Sequence, residues 1–390
     1  MKKKVLFLCS NMDIGGFQKS LINLLEYIDY DVYDIDLLLM NDRGIYTKFI
    51  NKNVHILTFR RTEDYFFAYK KSIKLLFKNK HFILMIKRLI NASISFFNRG
   101  YGALYMSKQI PKINKSYDIC IDYCGQYLNY YMVDAVNAKI KISYFHNDYN
   151  KWNYYYNIDK KYYNFDDYII TVSKNCVKSL KQYFPEYEKK IKCIENIITM
   201  KTINLFNNDK VDNCLKNKIK LSQFVIVTVG RVCLDKGIDL AIKCAKKLKQ
   251  NNYNFLWIWV GPGEINKYQK EINDCGLKQN FVFTNGQINP YKFMEYANII
   301  VHPARFEGKA VAVEEALVMN IPIIITNYSS AKDQIIDNVT GYIVPFDSEK
   351  LYKKISLLVS SPENINKIKN NQNKLCHGNS AEINKLYNII

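Results

Sequence analysis

Residues 224–250 read FVIVTVGRVCLDKGIDLAIKCAKKLKQ, and they pass from a strand through a short loop into a helix. Residues 224–229 are almost all β-branched or apolar, which favours a buried strand that ends at Gly230. After Gly237, apolar residues recur at helical spacing; they are Ile238, Ala241, Ile242, Ala245 and Leu248. The strand–loop–helix succession predicts one step of a parallel α/β sheet.

The same alternation extends over the whole chain. Predicted strands in the first half are 5–9, 33–40, 54–59, 119–123, 141–145, 168–172 and 191–195, with a helix at 17–27. In the second half they are 224–229, 255–260, 281–284, 299–302 and 321–326. Strands separated by helical lengths favour parallel sheets, and a chain of 390 residues fits two domains.

The polar stretch 196–220 separates the two series of strands, and Asn207-Asn208-Asp209 is its clearest break. We therefore predict an N-terminal domain of residues 1–200 and a C-terminal domain of residues 201–390. The last helix of the chain could cross back to the N-terminal domain.

The formal net charge of +20 would suit a protein that binds nucleic acid. However, the chain has no zinc-finger, helix-turn-helix or RNA-binding aromatic signature, and Lys, Asn, Ile and Tyr are all abundant. An anionic substrate or an anionic membrane surface explains the charge at least as well. No apolar run reaches the roughly 18 residues of a spanning helix, so a cytoplasmic protein is expected.

The segment 59–112 combines apolar residues with many cations, while its only acids are Glu63 and Asp64. The cations are Arg60, Arg61, Lys70, Lys71, Lys74, Lys78, Lys80, Lys87, Arg88, Arg99, Lys108 and Lys112. This pattern predicts basic amphipathic helices that lie on an anionic bilayer. The alternative is that the helices pack on the N-terminal sheet and leave their lysines in water.

Two loops at predicted strand ends carry the residues that indicate chemistry. Arg231 and Lys236 lie in the loop after the strand 224–229, at the sheet edge where α/β proteins bind ligands. A guanidinium fork and a lysine suit a diphosphate, although two cations in a loop are often simply solvated.

The second loop reads HPARFEGKAV, residues 302–311, and a helix is expected to begin near Lys309. Gly308 would let a ligand approach the backbone, and the amides of Lys309, Ala310 and Val311 would point at a bound anion. Glu307 lies in this loop, and Glu315 is expected about two turns into the helix. Carboxylates beside an anion site are best explained by hydroxyl groups that they bind.

Together these motifs, Gly-Arg-x4-Lys-Gly at 230–237 and the pair Glu307 and Glu315, resemble glycosyltransferase family 4. The resemblance implies a GT-B architecture, in which two Rossmann-like domains face each other across a cleft, and transfer with retention of configuration. Many members of that family use UDP- or GDP-sugars. The motif Phe306-Glu307-Gly308-Lys309 resembles that of members that build bacterial capsules and other cell-surface polysaccharides.

The likeness is strong over residues 220–345 and reaches the first half only at landmarks. Asp13-Ile14-Gly15-Gly16 resembles the family's glycine-rich loop, and Ser143-Tyr144-Phe145-His146 resembles the strand that ends in an active-site histidine. Gly286-Gln287-Ile288 falls where the family's loop packs against the base. Ile194-Glu195-Asn196 lacks the proline and glycine of the family's Pro-Asn-Gly hinge segment.

The resemblance also implies residue roles. Arg231 and Lys236 would neutralise the diphosphate leaving group, Glu315 would bind the ribose, and Glu307 would bind the transferred sugar. The amides of Gly308, Lys309 and Ala310 would support sugar and phosphate, and His146 would bond the donor sugar or stabilise developing charge. Gly16, Gly230, Ile288 and Val311 complete the predicted donor-binding set.

No metal or other cofactor is expected, because the sequence has no Asp-x-Asp motif in a plausible place; Asp34 and Asp36 fall on a predicted strand. The expected partners are a nucleotide-sugar donor (most simply a UDP-sugar), a glycan or lipid-linked acceptor, and an anionic membrane, but no nucleic acid. Alternatives are a GT-B-fold sugar-nucleotide epimerase or phosphorylase, a nucleic-acid-binding protein, and a catalytically inactive partner subunit.

Overall fold

The computed structural model describes residues 2–42, 44–206 and 209–390. They form two compact units, the first made of Met1–Asn196 and Ala381–Ile390 and the second of Ile197–Ser380. The chain thus passes between units a few residues before the predicted division at 200/201. Asn207 and Asn208, the predicted break, lie outside the described residues.

The first unit is built on a seven-stranded parallel sheet with the order β3-β2-β1-β4-β5-β6-β7. Its strands are β1 (Lys3–Cys9), β2 (Tyr33–Leu39), β3 (Val54–Thr58), β4 (Ser116–Asp122), β5 (Asn137–Phe145), β6 (Tyr168–Thr171) and β7 (Ile191–Cys193). Its helices are α1 (Gly16–Leu25), α2 (Tyr69–Lys78), α3 (Phe82–Phe97), α4 (Arg99–Ser107), α5 (Tyr127–Ala135), α6 (Tyr156–Tyr162) and α7 (Lys174–Tyr183).

The second unit has a six-stranded parallel sheet with the order β10-β9-β8-β11-β12-β13. Its strands are β8 (Phe224–Val229), β9 (Phe255–Val260), β10 (Phe281–Phe283), β11 (Ile299–His302), β12 (Ile323–Thr326) and β13 (Tyr342–Val344). Its helices are α8 (Met200–Asn204), α9 (Asn213–Leu221), α10 (Ile238–Gln250), α11 (Ile265–Asp274), α12 (Tyr291–Met294), α13 (Val311–Val318), α14 (Ser348–Ser360) and α15 (Pro362–Leu375).

The C-terminal helix α16 (Glu382–Tyr387) belongs to the first unit. The Tyr387 ring stacks on Tyr33 with ring centroids 5.7 Å apart, and its hydroxyl donates to the carbonyl oxygen of Tyr27 at 3.0 Å. The Glu195 amide donates to the Glu382 carboxylate at 2.9 Å. These contacts tie the end of the chain to the sheet of the first unit.

Burial on both faces explains why the strands are so apolar. All six residues of β9 are buried, and on α10 the buried residues include those predicted from helical spacing. The structure agrees with the predicted strands at 224–229, 255–260 and 299–302, and the other predicted strands differ by a few residues at their ends. β13 was not predicted, because three residues are too few for a periodic signal.

Each sheet has one point at which the strand order reverses direction, and ligands of open α/β sheets bind there, outside the carboxyl ends of the strands. In the first unit this switch point lies between β1 and β4, and in the second unit it lies between β8 and β11. The loop 230–237 follows β8 and the loop 303–310 follows β11. Both motif loops are therefore placed at the switch point of the second sheet.

Helices α2, α3 and α4 come from the basic segment. Leu76 is buried in the core of the first unit, and Leu84 and Met85 are half-buried against it. Phe77, Phe82 and Leu89, in contrast, are exposed. The segment therefore packs on the unit through only part of its apolar residues. Within the described ranges 2–42, 44–206 and 209–390, no helix is long and apolar enough to cross a bilayer.

Candidate functional site

The two motif loops of the second unit are fastened to each other by backbone contacts. Gly237 has a φ of +74°, and a β-carbon there would lie 1.8 Å from the carbonyl oxygen of Pro303. Only glycine therefore fits this crossing of the loops. The amide of Arg305 also donates to the carbonyl oxygen of Asp235 at 2.9 Å.

Arg305 adds a side-chain clamp to this crossing. Its two terminal nitrogens donate to the two carboxylate oxygens of Asp239, both at 2.8 Å. A bidentate pair fixes orientation as well as distance, so Arg305 holds its loop against the start of α10. Since Arg305 precedes Glu307 in its loop and Asp239 follows Lys236 in the chain, this pair joins the two motif loops.

Lys236, Glu307 and His302 form the charged centre of the candidate site. The Lys236 ammonium is paired with Oε1 of Glu307, and His302 Nε2 donates to the same oxygen at 2.8 Å. Burial acts to raise the pKa of Glu307, but Lys236 and His302 outweigh it and hold the pKa at about 2. Glu307 is therefore a carboxylate at neutral pH, which can only accept hydrogen bonds.

Glu315 lies on α13 and is buried, with only 1% of its surface exposed. The Tyr291 hydroxyl donates to its Oε1 at 2.8 Å. The helix α13 begins at Val311, two residues after Lys309, so Glu315 lies on its second turn. Glu315 is consequently close to the N-terminus of the helix.

Gln334 explains the later start of α13. Its side-chain oxygen accepts from the amide of Ala310 at 3.1 Å, and its side-chain nitrogen donates to the carbonyl oxygen of Ala310 at 2.9 Å. Ala310 is thereby held extended, with φ −71° and ψ 112°. The prediction that the Ala310 amide points at an anion is wrong for this structure, because Gln334 occupies that amide.

The remaining predicted residues of the second unit differ in their exposure. Lys309 is buried, with its ammonium 3.7 Å from Oε1 of Glu314, and Gly308 is buried beside it. Arg231 is exposed at the start of its loop, and Ile288 is half-buried between β10 and α12. The carbonyl oxygen of Gly230 accepts from the Trp259 indole at 2.9 Å. That bond fixes the backbone from which Arg231 projects.

The first unit brings two further predicted residues together at its own sheet edge. Gly16 is the first residue of α1, at the end of the loop that follows β1, and His146 directly follows β5. The rings of Phe17 and His146 are 6.3 Å apart, so the glycine-rich loop and the histidine are neighbours. Side chains in the loop are also ordered, because Asn11 Oδ1 accepts from the Gln18 side chain at 3.1 Å.

His146 is held as a neutral imidazole of one tautomer. Its Nε2 lies 3.0 Å from the carbonyl oxygen of Tyr123, which requires a proton on Nε2 and leaves Nδ1 as an acceptor. Burial lowers the pKa of His146 to about 4. Nδ1 is itself buried, and no group in the described part of the chain bonds to it. The ring thus keeps Nδ1 as an acceptor, and it carries no charge at neutral pH.

Asp36 has a structural role. It lies in β2, where its carboxylate accepts from the Tyr117 hydroxyl at 2.7 Å and pairs with Lys115. Among residues 2–42, 44–206 and 209–390, no three His, Cys, Asp or Glu side chains are grouped as a metal site would require. Independence from metal stays a prediction.

The sequence analysis gave no role to four residues of the site. They are His302, Arg305, Tyr291 and Gln334. His302 and Arg305 could have been found, since both lie within the motif loop that was singled out. Tyr291 and Gln334 are distant in sequence from the residues that they hold, and no local pattern marks them.

The second half of the chain is similar in sequence to known glycosyltransferases. Residues 212–375 match the family model described as "Glycosyl transferases group 1". An uncharacterised glycosyltransferase of Methanocaldococcus jannaschii is 29% identical over 178 residues, which is 45% of this chain and 44% of that protein. The capsular polysaccharide biosynthesis glycosyltransferase CapM of Staphylococcus aureus is 31% identical over 147 residues, 37% of this chain and 39% of CapM.

Solved structures extend the similarity of fold to the whole chain. HepE of Anabaena, crystallised with UDP and glucose, has a TM-score of 0.72 at 16% identity, covering 99% of this chain and 98% of HepE. TarM has a TM-score of 0.69 at 14% identity, covering 100% of this chain and 99% of TarM. The matches to CapM and to the M. jannaschii protein span about two fifths of the length of those relatives. The chain therefore has the α/β GT-B fold predicted from its sequence, and residues 212–375 match the glycosyltransferase group 1 family.

Proposed function

We propose that the protein is a glycosyltransferase that moves a sugar from a nucleoside-diphosphate donor to an acceptor hydroxyl. The observation that carries this proposal is the charged centre of Lys236, Glu307 and His302, at the switch point of the second sheet. It lies in the part of the chain that matches the glycosyltransferase group 1 family. The relatives named above are glycosyltransferases, and HepE was crystallised with UDP and glucose.

The charges of the site suit a departing diphosphate. In the proposed reaction the bond from the sugar's anomeric carbon to the diphosphate breaks, and a bond to the acceptor oxygen forms. The acceptor proton passes to an oxygen of the diphosphate, which needs no protein base. Arg231 and Lys236 would stabilise the negative charge on the diphosphate as it grows, an effect usually worth about 2.7–4 kcal/mol per donor.

The carboxylates suit hydroxyl groups. Glu307 is ionised and Glu315 is held by Tyr291, so both can accept hydrogen bonds from a ligand. We assign Glu315 to the ribose and Glu307 to the transferred sugar. We assign His146 to a hydroxyl group of the donor sugar. Its low pKa argues against the alternative that it stabilises negative charge.

We further propose that the enzyme belongs to glycosyltransferase family 4, retains the anomeric configuration, takes a UDP-sugar and requires no metal. The motifs at 230–237 and 307–315 support the family and, through it, retention. UDP is proposed because HepE binds it. We propose a glycan or lipid-linked acceptor in the biosynthesis of cell-surface polysaccharide. The similarity to CapM, a glycosyltransferase of capsular polysaccharide biosynthesis, supports this proposal.

The enzyme would bind its acceptor at the membrane surface. The helices α2 to α4 belong to a segment rich in cations, and the cytoplasmic leaflet carries a negative surface potential. We therefore propose a cytoplasmic enzyme that is peripheral on the inner face of the membrane.

A donor screen tests the proposed activity. The full-length protein is incubated with UDP- and GDP-sugars and a lipid-linked glycan acceptor, without added phosphate, and release of nucleoside diphosphate is followed. We expect release from one donor and a product of unchanged anomeric configuration by NMR. Conversion of the donor to an epimer, a strict need for inorganic phosphate, or salt-sensitive DNA binding without any release would each contradict the proposal.

A further inference from the structure

Helix α3 exposes a broad apolar face that carries no charge. The face consists of Phe82, Ile83, Ile86, Leu89, Ile90, Ser93, Phe96 and Phe97, all exposed and all on one side of the helix. Phe96 and Phe97 are 85% and 86% exposed. A contiguous apolar face of this extent marks an interaction site.

Arg88 and Asn91 of α3 face inward, so the helix cannot turn its apolar side to the core. Asn91 is buried and donates to the carbonyl oxygen of Gly102 at 2.7 Å, while its oxygen accepts from Arg88. Arg88 also donates to the carbonyl oxygen of Phe67 at 3.3 Å. A β-carbon on Gly102 would lie 2.0 Å from the Ser95 hydroxyl, so α4 packs tightly against this side. The orientation of the apolar face is thereby fixed.

The surroundings of the α3 face are positively charged. No aspartate or glutamate occurs from residue 65 to residue 117. The cations in this interval are Lys70, Lys71, Lys74, Lys78, Lys80, Lys87, Arg88, Arg99, Lys108, Lys112 and Lys115. On α2, Lys70, Lys71, Lys74 and Lys78 are exposed. The Phe77 ring of α2 is 6.3 Å from Phe82, so the apolar surface continues toward these lysines.

Charge decides which partner fits this surface. A second copy of the chain would bring an equally cationic rim against the first, which is unfavourable. An anionic lipid surface offers negative headgroups to the lysines and acyl chains to the apolar side chains. At 16 residues, α3 is about 24 Å long, shorter than the roughly 30 Å core of a bilayer, so it would lie in the membrane plane.

We propose that the α3 face inserts into the headgroup–acyl boundary of an anionic membrane, with the α2 lysines at the headgroups. This inference rests on the membrane part of the proposed function and deepens it, because it makes binding depend on apolar insertion and not only on charge. An inserted helix of this kind reaches about 5–10 Å below the headgroups. Binding should therefore persist in part at salt concentrations that screen the lysines.

The test uses vesicles of phosphatidylcholine and phosphatidylglycerol in equal parts, with pure phosphatidylcholine vesicles for comparison. We expect the full-length protein to sediment with the mixed vesicles, and in part to do so at about 1 M salt, where the Debye length is about 3 Å. The double variant Phe96→Ser/Phe97→Ser should bind at least about tenfold more weakly, because two large apolar side chains are lost from the interface. A matched control, Leu221→Ser/Leu375→Ser, removes two exposed apolar residues of the second unit and should bind like wild type.

Two further measurements separate insertion from adsorption. Phe97→Trp should shift its emission to the blue when mixed vesicles are added. Reversal of Lys70, Lys71, Lys74 and Lys78 to Glu should weaken binding at low salt and approach wild type at high salt. If the double serine variant binds like wild type, or the Phe97→Trp emission does not move, insertion is wrong.

The remaining outcomes are also decisive. Failure of the wild type to bind either vesicle overturns the inference, and so does a dimer in solution that Phe96→Ser/Phe97→Ser dissociates. These assays need no donor, and nucleoside diphosphate release needs no vesicle. Binding without release leaves this inference standing and contradicts the proposed transfer, whereas release without binding does the reverse.

Discussion

The carboxyl edges of the two sheets share a topology but differ in charge. In the second unit the switch point holds Lys236, Glu307 and His302 in contact, with Arg231 exposed nearby. In the first unit the corresponding edge holds His146, which burial keeps neutral, among aromatic rings. The same fold thus builds one edge suited to an anion and another suited to uncharged hydroxyl groups. We interpret the difference as a division between the diphosphate of the donor and the hydroxyls of a sugar.

The largest expected effect comes from removing the cation of the second unit. Lys236→Ala should reduce transfer by about 10²-fold or more, because charge on the leaving diphosphate is no longer stabilised. Steady-state release of nucleoside diphosphate measures this, and circular dichroism checks the fold. Lys246→Ala, an exposed lysine on α10, is the matched control and should remain active. Full activity of Lys236→Ala would contradict the assignment of the diphosphate to the edge of the second sheet.

The two glutamates sharpen the division within the second unit. Glu315→Gln should weaken binding of free UDP by about 1.5–3 kcal/mol, because ribose hydroxyls lose a charged acceptor. Glu307→Gln should lower the rate of transfer and the discrimination between donor sugars. Its effect on the affinity for free UDP should be smaller. Calorimetric titration of UDP into both variants distinguishes them. Equal losses of UDP affinity would show that the assigned roles are wrong.

The neutral histidine of the first unit makes a prediction about pH. Unfolded His146 takes up a proton near its ordinary pKa of 6.5, whereas in the folded protein its pKa is about 4. Its contribution to stability is therefore present above about pH 6.5 and is lost as the pH falls toward 4. Between pH 7 and pH 4, wild type should lose about 1–3 kcal/mol more unfolding free energy than His146→Phe. Urea denaturation at the two pH values tests this, and identical losses would mean that His146 is charged in the folded protein.

A smaller effect is expected at Tyr291, which positions Glu315. Tyr291→Phe removes one buried hydrogen bond to the carboxylate and should weaken UDP binding by about 0.5–1.5 kcal/mol. The variant keeps the ring, so the fold should be preserved. UDP affinity that matches wild type would mean that Glu315 needs no such support.

The predictions made from sequence were best where a local pattern carries the information. Strands such as β8 and β9 are continuous apolar runs, so their type and their bounds were correct. The loops 230–237 and 302–311 were correctly placed at strand ends, because the glycines and charges follow the strands directly. Contacts between distant residues gave no such signal.

Gln334 and α3 illustrate what local pattern could not supply. The amide of Ala310 looks free from the sequence, but Gln334 reaches it from outside the motif. Similarly, helical spacing in α3 indicates an amphipathic helix but does not say which side is buried. Asn91 contacts α4, and Arg88 contacts the backbone at Phe67, before α2. These contacts turn the apolar side of α3 outward.

A crystal structure of the full-length protein with UDP is the most direct test of the distinction between the two sheet edges. We expect the diphosphate at the carboxyl ends of β8 and β11, within hydrogen-bond distance of Lys236 and Arg231, and the ribose hydroxyls on Glu315. A diphosphate bound instead at the edge of the first sheet, beside His146 and away from Lys236, would contradict this account.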